Sequence, residues 1–113
     1  MLIGNSVIIF FGYFTEQAAL SNAVYEFNIE TNLWRCLSQK QNHHHIGNSS
    51  AFPIPRLESS VCVVPNKPGK VFAFGGCDGF NRLNDVWMFD LKTNQFTEVK
   101  TNSTVLPMVS DTF

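Results

Sequence analysis

Charge is scarce in this sequence. Only 15% of the residues are Asp, Glu, Lys or Arg, and eight basic against nine acidic side chains leave a formal net charge of −1. That excludes the broad basic field a protein needs when phosphate contacts hold it to nucleic acid. It equally excludes a surface that binds membranes by charge. No apolar run approaches the roughly 20 residues needed to span a bilayer as a helix. The apolar opening, Met1 to Phe14, lacks the basic start and small-residue cleavage site of a signal peptide. Cysteines are few: Cys36, Cys62 and Cys77, none at the spacing of a structural zinc site. They read as reduced thiols, which places the protein in the cytoplasm, with the nucleus as the alternative. What the sequence does have is aromatic carbon. Eleven of its 113 residues are Phe, and 44% of the chain is hydrophobic. A chain so poor in charge and rich in Phe buries most of its faces or binds something with them.

An internal repeat organises the chain. Asn22 to Trp34 aligns with Asn84 to Phe96 at an offset of 62, with Tyr25 facing Trp87 and Trp34 facing Phe96. Upstream, Val7 to Gly12 aligns with Lys70 to Gly75 at an offset of 63. Each copy reads as short strands punctuated by turn chemistry. In the second copy these are Ser60–Val64, Val71–Phe74 (stopped by Gly75 and Gly76), Asp85–Phe89 and Gln95–Lys100. In the first they are Met1–Ile3, Val7–Phe11, Ala23–Phe27 and Leu33–Leu37.

The patterning of these strands is informative. A sheet with one wet face alternates apolar and polar residues. Here Val71 and Ala73 oppose Phe72 and Phe74, Val86 and Met88 oppose Trp87 and Phe89, and Val7, Ile9 and Phe11 oppose Ile8 and Phe10. Both faces are apolar, so each meander must be covered on both sides. Copies stacked face to face do this, and a closed ring of them covers every copy. The expected fold is therefore all-β: about two four-stranded antiparallel blades of a β-propeller, in an incomplete ring.

The residues resemble a known repeat. Phe74-Gly-Gly76, Asn84-Asp-Val-Trp87, Phe89-Asp-Leu91 and Thr93-Asn-Gln-Phe96 look like a kelch motif, with its glycine pair and two aromatics nine residues apart. Pro55-Arg56 before Ser59 to Val64 resembles the lead-in to a kelch first strand. The first copy is degenerate: Gly12-Tyr13 stands for the glycine pair and Ala23 for Asp85. In this reading residues 1–38 form one kelch blade with a truncated first strand and 39–54 a polar inter-blade insert. Residues 55–100 form a second blade, and 101–113 a linker and the start of a next blade. Trp87 and Phe96 fill the space between blades, and Arg56 is placed to reach a nearby carbonyl or carboxylate. Kelch propellers have about five to seven blades, so the chain is expected to be a fragment that finds further blades in cis. The alternative is a ring closed by oligomerisation. Leu106 to Phe113 resembles the lead-in at Ile54 to Val61, with Met108 where Arg56 stands.

Loops in a meander alternate between its two ends, so Tyr13–Ser21, Cys77–Leu83 and the insert share one rim. Loops on a rigid scaffold commonly carry binding. The candidate binding residues are Phe14, Glu16, Gln17, Phe80, Asn81 and Arg82, with an aromatic and an Arg as interface anchors. The competing reading has Phe80 packing back on Trp87. His43-His44-His45 offers a metal at most opportunistic binding, since adjacent histidines on a polar loop are not expected to gain the supporting hydrogen bonds of a built site. No nucleophile–base pair, carboxylate pair or phosphate loop is apparent, so no catalytic residue, cofactor or metal is expected. The resemblance implies a non-catalytic protein–protein interaction module. Partners of that family include ubiquitin-ligase, cytoskeletal and small-GTPase proteins. The alternative it implies is part of an enzyme on a kelch-like propeller, of the oxidase, mutarotase or specifier type.

Overall fold

The computed structural model describes residues 1–38 and 52–100. The histidine tract and the Leu106–Phe113 lead-in lie outside the described residues. Eight strands form two separate four-stranded antiparallel sheets, each in simple sequential order. Blade 1 comprises β1 (Leu2–Ile3), β2 (Ser6–Phe14), β3 (Ala19–Asn28) and β4 (Leu33–Cys36). Blade 2 comprises β5 (Ser60–Val63), β6 (Lys70–Cys77), β7 (Arg82–Asp90) and β8 (Gln95–Val99). This is the all-β, two-meander architecture expected from the alternating apolar strands.

Turn chemistry sets the hairpins. Between β3 and β4, Asn28 Oδ1 accepts from the backbone N–H groups of Glu30 and Thr31, and Asn32 adopts φ 59°. The matching turn between β7 and β8 has Asp90 Oδ1 accepting from Lys92 N–H and Asn94 at φ 58°. Short Asx side chains bond their own backbone and tolerate the left-handed region, which is why they sit at both ends of both turns.

The middle hairpins differ from the sequence expectation in two ways. First, the glycines do not stop β6, which continues through Gly75 and Gly76 to Cys77. They form a bulge instead, where the register shifts between Phe74 and Gly76. Such a bulge leaves one residue unpaired and bends the strand without ending it. Second, the repeat offset in this strand is 64. Phe10 pairs with Val24 as Phe74 pairs with Val86, and Gly12 with Ser21 as Gly76 with Leu83. Phe11, not Gly12, therefore occupies the place of Gly75. The two bulge residues have the same backbone conformation, φ 65° at Phe11 and φ 66° at Gly75. An alignment that matches glycine to glycine misplaces the pair by one residue. Blade 1's hairpin is longer by one residue on each strand, which register alone reveals.

The core lies between the blades. Blade 2 turns Val71, Ala73, Trp87, Phe89 and Phe96 inward, all buried. Blade 1 meets them with Ile8, Val24 and Leu37, and with Phe10 and Phe11. Phe10 sits edge-on to Phe89 at 5.7 Å, and Phe11 stacks on Phe96 at 6.0 Å. Trp87 meets Phe96 edge-on at 6.0 Å. Phe52 and Pro53, at the end of the segment read as a polar insert, pack into the same seam: Pro53 is buried and Phe52 touches Phe96. The opposite faces of both blades are more open. On blade 1 these carry Leu2, Ile9 and Trp34, and Trp34 is 59% exposed. On blade 2 they carry Phe72, Phe74, Val86 and Met88, all half-buried.

Candidate functional site

Arg56 locks the two blades together and thereby fixes the rim. Its backbone enters the blade 1 bulge: Gly12 N–H donates to Arg56 O at 3.0 Å and Arg56 N–H to Ser21 O at 3.1 Å. Its side chain enters the blade 2 bulge. Nη1 donates to Gly75 O at 3.0 Å and to Asp85 Oδ1 at 2.6 Å, and Nη2 donates to Asp85 Oδ2 at 2.8 Å. Nε donates to Ile54 O. The guanidinium also lies over the Phe11 ring, 5.8 Å from its centroid. A planar donor fork suits this arrangement, which a Lys point charge could not reproduce. Burial works to raise the Asp85 carboxyl. The hydrogen bonds from Arg56 and from the Trp87 indole, with the guanidinium charge, outweigh it and hold Asp85 below the usual carboxylate range. The sequence placed Arg56 near a carboxylate. It did not identify Asp85, which stands 29 residues away.

The hairpin ends project from this lock. Blade 2's loop spans residues 78–81: Cys77 Sγ accepts from Gly79 N–H at 3.4 Å, and Asp78 Oδ1 accepts from Phe80 N–H at 2.9 Å and Asn81 N–H at 2.7 Å. Those bonds, Asn81's being the stronger, pull the Asp78 carboxyl below its ordinary value. Asp78 N–H donates to Asn81 O, closing the turn. At its apex Phe80 is 93% exposed. The reading that folds Phe80 back on Trp87 is thus corrected. Trp87 is covered instead by Phe96, and the Asp78 turn points the Phe80 ring outward. Asn81 is exposed beside it. Arg82 opens β7 and pairs with Glu58 at 3.1 Å.

Blade 1's hairpin end carries the other three candidates. Phe14 ends β2, and Glu16 and Gln17 lie in the turn. They come together around a shallow groove of about 420 Å³ lined by Tyr13, Phe14, Thr15, Glu16, Gln17 and Tyr25. Phe14 and Tyr25 form its aromatic corner, ring centroids 6.3 Å apart and nearly perpendicular. Tyr25 was not among the sequence candidates. The register supplies the missing signal, because Phe14 and Tyr25 fall on one face of the β2–β3 ladder. The two hairpin ends are neighbours: a side-chain carbon at Gly79 would lie 3.9 Å from Leu20 Cδ1. Among the described residues, no group of three or more His, Cys, Asp or Glu converges as metal ligands would.

Two four-stranded antiparallel blades stack through aromatic faces, with a Pro-Arg segment plugged into glycine-lined bulges. That combination defines a kelch-type β-propeller unit. The KLHDC2/KLHL20/DRC7 Kelch-repeats domain model matches residues 1–112, and the chain belongs to this kelch-repeat family. Kelch domain-containing protein 10 from Homo sapiens is 31% identical over 96 residues, covering 85% of this chain and 20% of that protein. Its Xenopus laevis counterpart is 33% identical over 76 residues, covering 67% of this chain and 16% of that protein. Tip elongation aberrant protein 3 from Schizosaccharomyces pombe is 43% identical over 51 residues, covering 45% of this chain and 4% of that protein. The chain thus spans about a fifth or less of the length of these curated relatives.

Proposed function

We propose that this chain is a non-catalytic protein-interaction module that presents its hairpin ends to a protein partner. The observation that carries the reading is Phe80, 93% exposed at the apex of a turn whose backbone N–H groups bond Asp78. An exposed ring normally costs solubility and adds nothing to the fold. Presented at the apex of a hydrogen-bonded turn, it is placed to fill a partner's pocket as an anchor. Membership of a kelch-repeat family supports the same reading. Partners of the ubiquitin-ligase, cytoskeletal or small-GTPase kind are consistent with that family. Free cysteines at positions 36, 62 and 77 are consistent with a cytoplasmic setting.

The test compares three forms of the chain in proximity labelling and affinity capture: the natural sequence, Phe80→Ala, and Lys67→Ala in the turn at the opposite end of blade 2. A partner recovered with the natural chain and with Lys67→Ala, and lost with Phe80→Ala, is the expected result. Full recovery with Phe80→Ala refutes the assignment of the rim.

A further inference from the structure

We propose that Asp78 is a positioning residue of the partner surface: its carboxylate selects the backbone conformation in which Phe80 is presented, without itself touching the partner. This role rests on the reading of the rim as a partner surface. A single oxygen, Oδ1, accepts from Phe80 N–H at 2.9 Å and from Asn81 N–H at 2.7 Å. The residue that bears the ring and the one after it are thus tied to one point. Asp78 N–H also donates to Asn81 O at 3.1 Å, and Gly79 turns the chain between them at φ 101°, which glycine adopts without strain. Packing does not choose the place of the ring, because it is 93% exposed. The turn beneath it must do so.

The other hairpin end supplies a contrast. Blade 1's turn is closed by a backbone bond from Ala18 N–H to Thr15 O at 3.3 Å, and no side chain of a described residue accepts from its backbone. Its apex carries Glu16 and Gln17, not a ring. The carboxylate therefore sits under the turn that bears the exposed aromatic. Asn28 Oδ1 bonds two N–H groups of the β3–β4 turn in the same pattern, which makes Asn the conservative replacement at position 78. A partner binds only the fraction of molecules already in the presenting conformation, so its apparent affinity falls with that fraction. Losing both bonds should lower the fraction about threefold to fivefold. A residue that only selects a conformer slows association, whereas a lost contact speeds dissociation.

The test uses the 113-residue chain as the natural sequence, as Asp78→Ala and as Asp78→Asn. Backbone nitrogen relaxation should give Phe80 an order parameter of about 0.8 in the natural chain and below about 0.6 in Asp78→Ala. The urea midpoint should not move, because the loop is at the surface. Asp78→Asn keeps the Oδ1 acceptor and should restore most of the order. The binding probe is the protein captured by the natural chain and lost with Phe80→Ala. Asp78→Ala should bind it about threefold to fivefold more weakly, through slower association at an unchanged dissociation rate, and Asp78→Asn should recover most of the loss. A Phe80 order parameter below about 0.6 in the natural chain, no change in Asp78→Ala, a loss carried by faster dissociation, or no rescue by Asn would each overturn the role. The rim reading is judged separately. If Phe80→Ala abolishes partner recovery and Asp78→Ala leaves it unchanged, only the role of Asp78 falls. If no protein is lost with Phe80→Ala, the rim reading falls and takes that role with it.

Discussion

Phe11 holds a backbone conformation that a bulky L-residue rarely adopts, φ 65°, at the place where blade 2 uses Gly75. Two terms compete there. The left-handed conformation costs an L-residue about 1–2 kcal/mol relative to glycine. Against this, the Phe11 ring is 7% exposed, stacks on Phe96 and lies under the Arg56 guanidinium. Removing a buried Phe ring costs about 3–5 kcal/mol, so burial wins and the strained residue persists. The balance predicts an inverted order of substitutions. Phe11→Ala loses the ring and keeps the strain, and should destabilise by about 3–5 kcal/mol. Phe11→Gly loses the ring and one further carbon but relieves the strain, so it should be the milder change by about 0.5–1 kcal/mol. At an ordinary strand position the order is opposite, because glycine costs about 0.5–1 kcal/mol relative to alanine. Urea unfolding monitored by tryptophan fluorescence measures both variants, since Trp87 lies in the same seam. Phe11→Gly proving less stable than Phe11→Ala would refute the bulge assignment and the offset of 64 with it.

The remaining predictions concern the lock, the bulge and the exposed faces. Arg56→Met should cost about 3 kcal/mol or more, because it strips a half-buried carboxylate of its bidentate partner, and Arg56→Lys should recover only part of that in the same urea assay. Asp85 titrates below its unfolded value of about 3.9, so the pair's contribution is complete above that pH and is lost as pH falls through the lowered folded-state value. Asp85→Asn should flatten this acid limb of the stability–pH curve, and an unchanged limb would refute the assignment. Gly76→Ala should cost about 2 kcal/mol or more, since the added carbon would lie 2.7 Å from Ser59 Oγ and 2.8 Å from Leu57 O at φ 111°. Phe80→Ala should leave stability within about 0.5 kcal/mol of the natural chain, which separates its binding role from any folding role.

Strand identity was readable because both faces of the strands are apolar and the turns are written in Asn, Asp and Gly. The repeat relation between β3–β4 and β7–β8 was readable for the same reason: aromatic and Asx residues recur at an offset of 62. The middle hairpin was not. Its bulge residues are Phe11-Gly12 in one copy and Gly75-Gly76 in the other, and sequence similarity favours pairing glycine with glycine. Only the ladder, in which Gly12 faces Ser21 and Gly76 faces Leu83, exposes the shift. Arg56 was legible as a bonding residue from its Pro-Arg context. Its double role was not, because one blade takes its backbone and the other its side chain, and no local pattern encodes a bridge between blades.

The site residues divide along similar physical lines. Phe80, Asn81 and Arg82 are contiguous, so a loop prediction gathers them at once. Tyr25 joins Phe14 only through strand register, and a list of loop residues omits it. The same register explains why equivalent aromatics have unlike surroundings. Phe27 and Trp34 pair on blade 1's outer face, as Phe89 and Phe96 pair on blade 2's inner face. Yet Trp34 is 59% exposed and Phe96 5%. A blade's Tyr/Trp face is therefore covered by the opposite face of the blade before it in sequence, as blade 1 covers blade 2. The groove at Phe14 and Tyr25 lies on that Tyr/Trp face of blade 1, the counterpart of the face that blade 2 devotes to packing.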